Sequence, residues 1–177
     1  MIAPTCVISP YHAYSIGAGC GSFGAAASGV WPAANRAFFI PFRLDRPVTV
    51  TVFGVYNGIT VGNGSVDVGI YSDDGPSTST ARLIISSRAV ATSGASAIQT
   101  LDIPDTPLGA GRFYIAIVMS SASDTVFRVG LNNTHARAVG VCQMASAYPL
   151  PLSATLAAAA STFLPMVGFA TAPRTFL

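Results

Sequence analysis

Val66-Asp67-Val68-Gly69-Ile70-Tyr71-Ser72-Asp73-Asp74-Gly75 contains a strand, its two faces and the turn that ends it. Val66, Val68 and Ile70 alternate with Asp67, Gly69 and Tyr71, the period of two that marks a strand with one face buried. Asp73-Asp74-Gly75-Pro76 then supplies carboxylates that bond their own backbone, a residue free to take positive φ and a ring without an N–H, so the chain reverses there. Downstream, Leu108-Gly109-Ala110-Gly111-Arg112-Phe113-Tyr114-Ile115-Ala116-Ile117-Val118 passes from a glycine-marked turn into a strand apolar on both faces. The two stretches are read as members of one antiparallel sandwich, with Ile70 and Ile115 on inner faces.

Outward from these strands the same grammar repeats. Residues 37–44 read as a strand in which Pro41 signals an edge or a bulge, because proline cannot donate to a ladder. Arg46-Pro47 marks a turn, and 48–56 is a β-branched, alternating strand followed by Asn57-Gly58, a pair that favours a tight turn; Asn63-Gly64 is a second such pair. Residues 82–90 and 97–103 read as strands separated by Gly94, with Pro104-Asp105-Thr106-Pro107 closing them, and 111–119 and 125–131 follow. Turn signals at about ten-residue spacing fit a sandwich or barrel. Residues 139–144 offer one more strand, and Ser153 is placed to cap a short helix through residue 160, which needs a packing surface to persist. The expected organisation is an N-terminal arm over 1–35, a β-sandwich domain over 36–144 and a C-terminal arm over 145–177.

Composition narrows the function classes. Of 177 residues, 51% are apolar, enough for a core of one domain, and only 9% are charged. Every base is Arg and every acid Asp. The net charge of +2 is the balance of nine scattered Arg against seven Asp, which argues against a nucleic-acid partner, since phosphate binding needs clustered cations. Residues 1–30 lack the cationic start and continuous apolar core of a secretory signal. The apolar run 150–167 is interrupted by Pro151, Ser153, Ser161 and Pro165 and is unsuited to cross a membrane. Cys6, Cys20 and Cys142 fit no metal spacing; either all are reduced or one bridge forms, with Cys6 and Cys20 the nearest pair in sequence.

Catalytic chemistry finds little to work with. His12 and His135 are the two imidazoles, and neither sits beside a nucleophile motif. Asp67, Asp73 and Asp74 are the carboxylates to weigh for a hard cation, but their spacing matches no calcium loop, and turn formation is the commoner use of Asp-Asp-Gly. Gly17-Ala18-Gly19-Cys20-Gly21-Ser22 lacks the flanking strand, helix and Lys of a phosphate loop. Asn132-Asn133-Thr134 fits a glycan acceptor that matters only on a secretory route. Trp31, Tyr56 and Tyr71 are candidates for an interface or for stacking on sugar rings, with packing in a core or between chains the competing use. No catalytic residue, cofactor or metal is expected.

The blocks Trp31-Pro32-Ala33-Ala34-Asn35-Arg36-Ala37-Phe38-Phe39-Ile40-Pro41-Phe42, Val68-Gly69-Ile70-Tyr71-Ser72-Asp73-Asp74-Gly75, Ala97-Ile98-Gln99-Thr100-Leu101 and Leu108-Gly109-Ala110-Gly111-Arg112-Phe113-Tyr114-Ile115-Ala116, in this order and spacing, resemble a family of β-sandwich proteins encoded by tailed bacteriophages. A similar strand–turn scheme occurs in carbohydrate-binding jelly rolls. The resemblance implies a jelly-roll-like sandwich located in the virion, with other capsid or tail proteins as partners, a homo-oligomeric state with a trimer as one option, and no catalytic residues. The leading expectation is a capsid decoration or cement protein, with a fibre component or glycan-binding module as the alternative.

Overall fold

The computed structural model describes residues 12–14, 27–72, 80–130, 140–158 and 163–171. Among them the chain is all-β and antiparallel. In chain order the strands are β1 (His12–Tyr14), β2 (Ala27–Val30), β3 (Ala37–Leu44), β4 (Val48–Tyr56) and β5 (Ser65–Ser72). Then come β6 (Thr80–Ser86), β7 (Val90–Ala91), β8 (Ile98–Leu108), β9 (Gly111–Met119) and β10 (Thr125–Gly130). The last are β11 (Cys142–Met144), β12 (Ser153–Thr155), β13 (Ala157–Ala158), β14 (Phe163–Pro165) and β15 (Val167–Thr171).

An eight-stranded sheet runs β12-β6-β5-β9-β3-β11-β13, with β7 also on β5. Opposite it lie a four-stranded sheet, β1-β15-β4-β8, and a three-stranded sheet, β14-β10-β2. An isolated bridge between Asn57 and Val126 links the end of β4 to β10. The alternation on β5 decides the layering. Val66, Val68 and Ile70 enter the inter-sheet core with Phe38, Phe53 and Phe169 from the other strands, whereas Tyr71 joins a second cluster on the outer face of the large sheet with Phe39, Ala116 and Val118. Ile70 and Ile115 are direct cross-strand partners in the β5–β9 ladder and both are buried in the inter-sheet core. Full burial of one such side chain contributes about 1.5–3 kcal/mol.

Several local expectations are corrected. Asn57-Gly58 and Asn63-Gly64 make no tight hairpin, because β4 and β5 belong to opposing sheets and residues 57–64 form the longer passage between them. Pro104 and Pro107 do not close a strand; β8 runs through both of them. It is an edge strand with a register shift against β4, and a missing N–H is tolerated on an edge. Pro41 obeys the same rule: β11 pairs β3 only over Ala37–Phe39, so the ladder on that side has ended before the proline. The expected 82–90 strand is divided by a break at Ser87–Arg88, where Arg88 takes a φ of 57°. Residues 153–158 are strands, not a helix. Helix propensity there yields to pairing of Ser153–Thr155 with β6 and of Ala157–Ala158 with β11.

Both terminal segments contribute strands to the sheets. β1 pairs β15 and β2 pairs β10. From the C-terminal side, Phe163, Leu164, Val167 and Phe169 are members of the inter-sheet core. Most of 1–26, including Cys6, Cys20 and the 17–22 glycine run, lies outside the described residues, as do Asp73, Asp74, the Asn132–Thr134 sequon, His135 and residues 172–177.

Candidate functional site

Residues 145–156 cross the outer face of the large sheet as a strap, and the sequence beneath is fitted to it. Ala37, Ala81 and Ala116 keep the surface low, while Ala147, Leu150 and Ala154 of the strap are buried against it. Gly69 is a point of close approach between sheet and strap. A Cβ there would stand 2.9 Å from the Ile85 carbonyl oxygen and 3.0 Å from Leu150 Cδ1, so no larger residue fits without displacement.

Two polar side chains on the same face of β5 hold the strap's backbone. The Leu150 N–H donates to Asp67 Oδ2 at 3.0 Å, and the Tyr71 hydroxyl donates to the Pro151 carbonyl at 2.6 Å. Asp67 Oδ1 accepts from Ser87 Oγ at 3.4 Å. Asp67 is 1% exposed, and burial pushes its carboxyl above the ordinary value, against the opposing pull of the bonds from Leu150 and the Ser86–Arg88 turn. Tyr71 is pushed up as well, by burial first and by the Asp67 charge second.

A second polar cluster ties the loops at one end of the sandwich. Asp124 is fully buried. Its Oδ1 accepts from the Asn63 N–H at 2.9 Å and Asn63 Nδ2 at 3.0 Å, and its Oδ2 from Thr92 Oγ1 at 2.7 Å. Thr125 Oγ1 accepts from the Thr60 N–H at 2.8 Å, and Asn57 Nδ2 donates to Gln99 Oε1 at 2.9 Å. These bonds join loops 57–64, 92–97 and 121–125 into one rim. On it Ile59 is 68% exposed and Val30 61%, with Ile98 also exposed. Ser28 Oγ, two residues before Val30, accepts from the Ile59 N–H at 3.1 Å. Residues 28–31, 57–64, 92–99 and 121–125 contain no Arg, and their one Asp is the buried Asp124.

The three aromatic candidates separate. Trp31 is a plug in the inter-sheet core, 1% exposed, edge-on to Phe38 and Phe163 at 5.3 and 5.4 Å, with its indole N–H on the Arg36 carbonyl. Tyr71 is fully buried under the strap, edge-on to Phe39 at 5.1 Å. Neither ring has a face open to a sugar. Tyr56 is half-buried and stacked on Phe127 at 4.2 Å, opposite Ile98 in the β4–β8 ladder. The three do not converge on one site. Asp67 belongs to the strap contact, and among the described residues no group of three or more His, Cys, Asp or Glu is placed to hold a metal ion. His12 lies in β1, paired with Ala170. Cys142 is half-buried and packs at the margin of the outer cluster. Asp124 and its rim escaped sequence reading, because a lone Asp after Ser121-Ala122-Ser123 looks like any polar loop.

Fold and site together define an all-β antiparallel sandwich that roofs one sheet with its own chain and presents a charge-free rim. The sequence matches no protein-family model and no curated protein. Among solved structures, the chain is similar to one in "Structure of infectious bursal disease virus Gx strain", at 12% identity and a TM-score of 0.38, with 91% of this chain and 39% of that chain covered. This chain thus spans about two fifths of the length of that viral chain.

Proposed function

We propose that the chain is a non-enzymatic structural protein of a bacteriophage particle, a decoration or cement protein on the capsid exterior that works as a homo-oligomer among other virion proteins. The observation that carries this reading is the rim, where Val30 at the end of β2, Ile59 in a loop and Ile98 at the start of β8 are exposed on segments without a single exposed charge. Apolar side chains gathered on an uncharged surface favour burial against another protein. The sequence blocks that resemble phage sandwich proteins include β3, β5 and β9, the central strands of the large sheet, which agrees with the same reading. A fibre component or glycan-binding module is the alternative. Of its three aromatic candidates only Tyr56 retains exposed surface, and that ring already stacks on Phe127.

The test replaces Ile59 with Asp, alone and with Val30→Asp, and follows sedimentation and incorporation into particles. The expected result is a chain with unchanged circular dichroism that no longer associates or enters particles. Normal association and incorporation of the double variant would overturn the reading. Robust glycan binding lost on Tyr56→Ala would favour the alternative.

A further inference from the structure

We propose that the strap, residues 145–156, opens as a unit from the outer face of the large sheet while the inter-sheet core stays closed, and that the Asp67 carboxylate beneath it governs the opening. The two hydrophobic clusters carry the first half of this inference. No strap residue belongs to the inter-sheet core; its buried side chains, Ala147, Leu150 and Ala154, all belong to the outer cluster. Two of those three are alanines. Tyr148 and Leu156 of the strap are partly buried against the same cluster, so the apolar contact given up on lifting lies on the outer face, and the sandwich keeps its own core. A segment whose packing is separate from the main core can open as a unit below the global unfolding free energy. The ladder holding the strap is short as well: Ser153–Thr155 on β6, supported by the Leu83 N–H on the Leu152 carbonyl at 2.9 Å and the Ala147 N–H on the Asn35 carbonyl at 2.7 Å.

The second half rests on what surrounds Asp67. From the strap it meets the Leu150 N–H, and from the turn after β6 the hydroxyls of Ser86 and Ser87 and the backbone of Arg88. On β5 itself the phenol of Tyr71 is the titratable neighbour. In the β5–β9 ladder its partner is Val118. The carboxylate's bonding partners are thus neutral N–H and O–H groups, and burial disfavours its charge. Opening hydrates the carboxylate and relieves that cost, so the strap is held more tightly when Asp67 is protonated and lifts more readily when it is ionised. Lifting uncovers Phe39, Tyr71 and Val118 and frees the outer edge of β6.

Amide hydrogen exchange on the full chain, corrected for intrinsic rates, tests both halves between pH 4 and pH 7. Leu150, Leu83 and Ala147 report on the strap, and Phe39 and Ile117 on the ladders beneath. The expected result is one common, lower protection factor for the three strap reporters. It should fall with rising pH by about tenfold for each pH unit by which Asp67 titrates higher in the closed than in the open form. In Asp67→Asn the pH dependence should vanish, while in Tyr71→Phe protection should drop at every pH with the slope retained. Strap reporters that exchange together with Phe39 and Ile117 at all pH values would overturn the opening. An unchanged slope in Asp67→Asn would overturn the role of Asp67.

Discussion

At the scale of single residues, Asp67 is a charge that the fold contains but does not favour. Burial lifts its folded-state pKa above the ordinary value near 3.8. A group raised in this way contributes stability that is fully present below the unfolded pKa and is lost as pH rises through the folded one. This group therefore makes the protein more stable on acidification from neutral pH, opposite to a carboxylate held by a cation. Asp67→Asn should leave stability at pH 7 unchanged or higher and remove the gain seen on moving toward pH 4; urea melts of both proteins at the two pH values check this. Asp67→Ala differs, because it leaves the buried Leu150 N–H without its acceptor, at a cost of about 1–3 kcal/mol. A drop of that size for Ala with none for Asn would separate the lost hydrogen bond from the lost charge. The sequence showed Asp67 on the face opposite Val66 and Val68, yet its role was not legible there. The group it holds lies 83 positions away along the chain, and nothing in the Asp67 neighbourhood encodes that partner.

At the scale of elements, faces were readable and neighbours were not. Period-two alternation in β5 separated Val66, Val68 and Ile70 from Asp67, Gly69 and Tyr71, and the inner and outer clusters follow that division. Alternation says nothing of which strand lies alongside, so Asn57-Gly58 read as a hairpin turn where the chain in fact crosses between sheets. The alanines after Ser153 misled for a related reason: helix propensity is a local property and says nothing of the strand edges of β6 and β11 that pair with Ser153–Thr155 and Ala157–Ala158. Gly69 makes the strap's fit testable. Gly69→Val would drive side-chain atoms toward the Ile85 carbonyl and Leu150, and overpacking at such a site costs about 1–3 kcal/mol. Thermal melting should fall accordingly, and proteolysis within 145–156 should quicken. A variant with wild-type melting and cleavage would show that the strap sits farther from β5 than the backbone places it.

For the whole molecule, deletion of residues 1–30 distinguishes folding from assembly. It removes β1 from the edge of one sheet and β2 from the edge of another while leaving Trp31 and the inter-sheet core. The expected product is a β-rich chain by circular dichroism with a lowered melting temperature, monomeric by sedimentation and excluded from particles. Loss of the β signal would mean that the edge strands are needed for the core, and unchanged association would remove the rim beside Val30 from the assembly surface. The molecule also carries its own optical gauge. Its single tryptophan is enclosed between Phe38 and Phe163, so emission excited selectively at tryptophan, beyond the absorption of the tyrosines, reads the space between the sheets. Emission should be blue-shifted in the native state and stay so while the strap lifts, turning red only when the sheets themselves part. Any condition that strips protection from Leu150 without moving the emission maximum has opened the roof of the building and left its walls standing.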